Sequence, residues 1–201
     1  MATIINASTS AGLIQTADTS GTLQLQSNGV TQQTIDSTGS YGQLARGTAQ
    51  ASTSGTSIDF TSIPSWVKRI TVMFNGVSLS GTTSYLLQLG AGSVTTTGYL
   101  GYYSAQENSG TPAVTANTSG FPVNANNAGN LRYGTARFVN ITGNTWVCDG
   151  VFVGTNSAAV ASYFTTGGSI ALGGTLDRVR ITTVNGTDTF DAGSINILYE
   201  G

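Results

Sequence analysis

The sequence predicts an all-β protein: an N-terminal arm of extended β repeats, then an antiparallel β-sandwich of jelly-roll type. Three observations predict it. Apolar residues recur at every second position through many short segments, which puts them on one face of a strand. Gly, Asn and Asp separate those segments at turn positions. No segment carries a convincing helical period.

Composition supports the same class. Only 8% of the 201 residues are charged, while 39% are apolar, and an average globular protein is about 25% charged. Gly, Ser, Thr and Asn fill the difference. Hydroxyl and amide side chains suit turns and exposed sheet faces, and Thr also favours strands. A chain of this length can bury a real core and still carry an appendage.

Residues 1–45 form the arm. Thr9-Ser10-Ala11-Gly12-Leu13-Ile14 is echoed ten residues later by Thr19-Ser20-Gly21-Thr22-Leu23-Gln24, and a looser copy runs from Gly29 through Ile35 to Thr38. Each copy reads as a short strand between turn residues. Its apolar positions, Leu13, Ile14, Leu23, Leu25, Val30 and Ile35, are too few for a core and need an outside surface. Neighbouring subunits are the favoured surface, which makes these six residues the expected assembly contacts. A flexible tail is the alternative. Residues 46–56, rich in Gly, Ala, Ser and Thr, read as a linker, and residues 57–201 as the sandwich.

Within the sandwich, residues 66–74 place Ile70, Val72 and Phe74 on one strand face, with Arg69 and Thr71 on the other. Asn75-Gly76 signals either a turn or a bulge, because Val77 and Leu79 continue the apolar pattern. Further strands are expected at 85–89, 137–142, 145–153, 158–164, 176–184 and 194–200. Gly143-Asn144 joins two of them as a hairpin, and Asn185-Gly186 marks another tight turn. Residues 100–132 read as a long irregular stretch, either a functional loop or a subunit contact.

The chemistry is sparse. The chain contains no histidine, which removes the usual triads, histidine bases and most transition-metal sites. Among nine acids, Asp188 and Asp191 are the one close pair. They read as turn-capping residues before the last strand, with a calcium loop or an acid pair as the less favoured reading. Asp177, Arg178 and Arg180 are expected to form a surface ion pair. No catalytic residue, cofactor or metal is expected. Seven Lys and Arg and a net charge of −2 argue against nucleic acid, and no apolar run approaches the length of a membrane-spanning helix. The single Cys148 lies in a strand-like run and reads as a small buried residue.

Binding is the open possibility. Gly98-Tyr99-Leu100-Gly101-Tyr102-Tyr103 puts three tyrosines in a glycine-punctuated stretch. Exposed, they suit a glycan or protein partner; otherwise one or two of them close the core or an interface.

Three segments carry a resemblance. Met1-Ala2-Thr3-Ile4-Ile5-Asn6-Ala7-Ser8-Thr9-Ser10, with Leu23-Gln24-Leu25-Gln26-Ser27-Asn28-Gly29, resembles the N-terminal segments of tailed-phage fibre and virion proteins. Residues 63–78, Ile63-Pro64-Ser65-Trp66 onward, and the ending Asp191-Ala192-Gly193-Ser194-Ile195-Asn196-Ile197-Leu198-Tyr199-Glu200 are similar to phage structural modules. The resemblance implies a non-enzymatic virion protein, a homotrimer assembled in the host bacterial cytoplasm that contacts other tail or capsid proteins. It leaves two placements open, a short tail fibre or a capsid decoration (head fibre). A separate alternative is a carbohydrate-binding module that recognises host surface glycan through Tyr99, Tyr102 or Tyr103.

Overall fold

A computed structural model describes residues 23–27, 30–36, 39–40, 44–107, 113–125, 127–155 and 161–201. Among these residues every regular element is a β-strand, and every strand pairing is antiparallel. The chain divides into two compact units, Met1–Gln43 and Leu44–Gly201.

In the first unit, β1 (Leu23–Ser27), β2 (Val30–Asp36) and β3 (Gly39–Ser40) make a three-stranded sheet in sequence order. Leu23 lies opposite Ile35, and Leu23, Leu25 and Ile35 are each more than a third exposed. The strands fall on the second and third repeats. Leu13 and Ile14 lie outside the described residues, as does the side chain of Val30.

The second unit holds two sheets. The larger contains β4 (Leu44–Arg46), β5 (Gln50–Ala51), β7 (Arg69–Leu79), β10 (Leu100–Glu107), β11 (Ala113–Asn117), β13 (Arg132–Thr142), β14 (Thr145–Thr155), β15 (Ala161–Ala171) and β17 (Phe190–Glu200). Its order is β11-β10-β15-β14-β13-β7-β17-β4, with β5 also on β17. The smaller sheet runs β12 (Phe121–Val123), β8 (Tyr85–Ala91), β16 (Arg178–Thr183), β6 (Ile58–Phe60), with β9 (Ser93–Val94) on β8. The pairs β7–β17, β8–β16, β10–β15 and β13–β14 are nested one inside the next along the chain.

The two sheets close on one apolar core, as a sandwich does. Aromatic contacts cross between them: Phe74 meets Tyr85 edge-on at 5.5 Å, and Phe121 packs on Phe138 at 5.6 Å. Burial of this kind, at about 25 cal/mol per Å² of apolar surface, is the main term holding a β-sandwich together.

Strand β7 shows how the local sequence shapes the sheet. Ile70, Val72 and Phe74 are buried at even positions, whereas Val77 and Leu79 are buried at odd ones. The parity changes at Asn75-Gly76, so this is a bulge and no turn. Gly76 takes φ +65°, and both neighbouring strands shift register beside it. One extra residue restores the inward apolar face that a regular strand would have lost. The hairpin at Gly143-Asn144 is present, with Gly143 at φ +50°.

Two sequence expectations are corrected. Residues 46–56 are no linker: β4 and β5 pair with β17, Gly47 N–H donates to the Ile197 carbonyl, and Ser52 is fully buried with its hydroxyl on the Ala192 carbonyl. Their small, polar composition gave no sign of it, because apart from the Ser52 hydroxyl these ties are backbone hydrogen bonds that need no particular side chain. The described part of residues 100–132 is likewise not one long loop; it contains β10, β11 and β12. At the end of that stretch Arg132 is fully buried, donating to the Asn124 and Ala125 carbonyls and lying 4.4 Å over the Phe164 ring.

Candidate functional site

The three sequence-flagged tyrosines go to three different places. Tyr99 is 1% exposed and stands edge-on to Phe121 at 5.1 Å. Its hydroxyl accepts from Leu89 N–H at 2.8 Å and donates toward the Leu89 and Thr95 carbonyls. β12 pairs with β8 only as far as Leu87, and at Leu89 the phenol takes the place of the missing strand. Burial pushes the Tyr99 phenol up to about 12. Tyr99 is therefore a core residue, and the expectation that it contacts a glycan is corrected.

Tyr102 points the opposite way, onto the outer face of the large sheet, where it is 47% exposed. Its neighbours there form ordered cross-strand rows. One row runs Tyr133–Val153–Tyr163–Gln106, and the next runs Met73–Thr135–Val151–Thr165–Ser104–Val114. A third holds Arg137, Asp149, Gly167, Tyr102 and Ala116. Tyr133, Val151, Val153, Tyr163 and Val114 are all large side chains exposed on this face. Arg137 and Asp149 bond to each other at 2.6 Å, so the charges on these rows cancel locally. Strands spaced about 4.8 Å apart make this face about 20 Å wide, with its apolar side chains interspersed with Thr135, Thr165, Ser104 and Gln106 and no net charge.

Tyr103 faces a cleft of about 270 Å³ at the open side of the sandwich. Its walls come from five segments: the β7–β8 connection (Thr82, Thr83, Ser84), β10, β11 (Thr115, Asn117), β12 (Pro122) and the residue after β16 (Val184). Thr115 sits directly across from Tyr103 in the sheet. The Asn117 side-chain oxygen accepts from Ser119 N–H at 2.7 Å, which leaves its amide nitrogen as a donor. No charged side chain lines the cleft. Sequence reading found Tyr103 but none of its partners, since no sequence spacing unites segments so far apart.

Among the described residues the acids form no common site. Asp188 folds back to accept from Thr83 N–H and Asn185, while Asp191 accepts from the Ser78 hydroxyl. Both act as local acceptors around the last turn. Asp59 takes a bidentate bond from Arg180 at 2.7 Å, Asp177 pairs with Arg178, and Glu200 pairs with Arg69. The Arg178 guanidinium holds the Asp177 carboxyl below its usual range, and Arg69 does the same to Glu200. Among the described residues no group of three or more His, Cys, Asp or Glu is placed to hold a metal ion. Among the described residues there is no helix long and apolar enough to cross a membrane. Cys148 is buried, and desolvation raises its thiol well above the ordinary value.

Comparison with protein families, characterised proteins and solved structures found no match for this chain.

Proposed function

We propose that the chain is a non-enzymatic structural component of a tailed-phage particle, a trimeric surface appendage of fibre type. In this reading the first unit anchors the appendage and the sandwich stands exposed. The observation that carries it is the outer face of the large sheet. The row of Tyr133, Val153 and Tyr163, with Val151 and Val114 set among Thr135, Thr165 and Ser104 in the next, forms a partly apolar surface without net charge. Large exposed apolar patches mark interaction surfaces, and a second copy meets this one without like-charge repulsion. Leu23, Leu25 and Ile35 add a smaller unpartnered apolar set in the first unit. The nested strand pairs support a jelly-roll ancestry, with the β13–β14 hairpin carried into the larger sheet.

Sedimentation equilibrium of the full chain tests the assembly. The native chain is expected at three times its 20.5 kDa mass, and Val151→Lys, which puts an unpaired charge on the central row, at the monomer mass. A native chain that stays monomeric at tens of micromolar (roughly, from the affinity scale of weak interfaces) refutes it.

A further inference from the structure

We propose that the Tyr103 cleft is a binding site for a neutral sugar unit. The inference stands apart from the assembly reading, since the cleft is built within one copy of the sandwich. The volume of about 270 Å³ lies near the lower end of sites that take small molecules, about 300 Å³ upward. Ligand sites combine an apolar platform with a few placed polar groups. Here Tyr103, Pro122 and Val184 supply the apolar surface on which the C–H face of a sugar packs. Thr82, Thr83, Ser84 and Thr115 supply hydroxyls that donate or accept, and Asn117 supplies amide donors. This set matches a polyol, whose ring carries alternating donors and acceptors.

The absence of charge narrows the class. A phosphate or a carboxylated sugar needs Arg, Lys or a helix terminus to balance its charge, and the lining has none.

Saturation-transfer NMR on the full chain tests the site, using the methyl glycosides of glucose, galactose and N-acetylglucosamine, with methyl glucuronide as the anionic comparison. Saturation transfer to at least one neutral glycoside is expected, and less to the glucuronide. Tyr103→Ala is expected to weaken the interaction by about tenfold or more, given the value of one aromatic contact. Tyr102→Ala, on the opposite face, leaves it unchanged. Thr115→Trp fills the cleft from an exposed edge-strand position and abolishes binding; it also serves if Tyr103→Ala does not fold. The proposal is overturned by silence from all three neutral glycosides at millimolar concentration. Preference for the glucuronide, or binding that survives Thr115→Trp, overturns it as well. Because the readout is binding, failure here leaves the sedimentation result untouched.

Discussion

Replacing Tyr99 with Phe separates a structural tyrosine from a binding one. Phe keeps the ring and its edge-on contact with Phe121, so packing is preserved. What is lost is one oxygen that accepts from Leu89 N–H at 2.8 Å and donates toward the Leu89 and Thr95 carbonyls. The Leu89 carbonyl keeps a partner, because Thr95 N–H reaches it at 2.9 Å. Leu89 N–H does not, and Leu89 is fully buried. An unpaired buried donor costs about 1–3 kcal/mol, and in a chain of this size each kcal/mol moves the melting point by about 2–4 °C. Tyr99→Phe is therefore expected to lower Tm by about 2–12 °C in differential scanning calorimetry. Binding at the Tyr103 cleft should be unaffected. An unchanged Tm would refute the view that the phenol substitutes for a strand, and lost glycoside binding at native Tm would return Tyr99 to the site.

Three other outcomes follow from the same structure. Burial raises the Tyr99 phenol from 10.0 to about 12 and also raises that of Tyr85; the stability this carries is complete below pH 10 and lost as pH climbs through 12, so urea midpoints should fall across that window. Tyr99→Phe should show a shallower fall, and a flat profile would refute the linkage. Gly193 has φ +89°, and a Cβ there would lie 2.2 Å from the Gly76 carbonyl oxygen; Gly193→Ala should cost about 1–3 kcal/mol or more, read as a lower urea midpoint. Cys148 is 6% exposed with a raised thiol, so a thiol reagent should label it only as fast as the protein unfolds, and rapid labelling of the native chain would contradict its burial.

How far the sequence could be read depended on where the information lay. Strands whose alternation was carried by their own side chains were legible: Ile70, Val72 and Phe74 in β7, and the β13–β14 hairpin closed by Gly143-Asn144. The β7 bulge was half legible, since Asn75-Gly76 announced a break and only the neighbouring strands decided its type. β4 and β5 were hidden because Ser52 and Gly47 look like linker residues and are held by backbone partners on β17. β10 to β12 were hidden for another reason. Val114 is exposed on the edge strand β11, and the three-residue β12 includes Pro122, which a sheet edge tolerates. Tyr99, Tyr102 and Tyr103 looked alike in sequence, and only the pleat and the end of β12 distinguish a core residue, an outer-face residue and a cleft residue.

The central claim, that this chain is a structural part of a phage particle, is tested most directly by electron microscopy of purified particles encoding it. Gold-labelled antibody against residues 57–201 should decorate one fixed position on the particle surface, in copy numbers that are multiples of three. Particles that bind no gold, and whose purified protein lacks the chain by mass spectrometry, would contradict it.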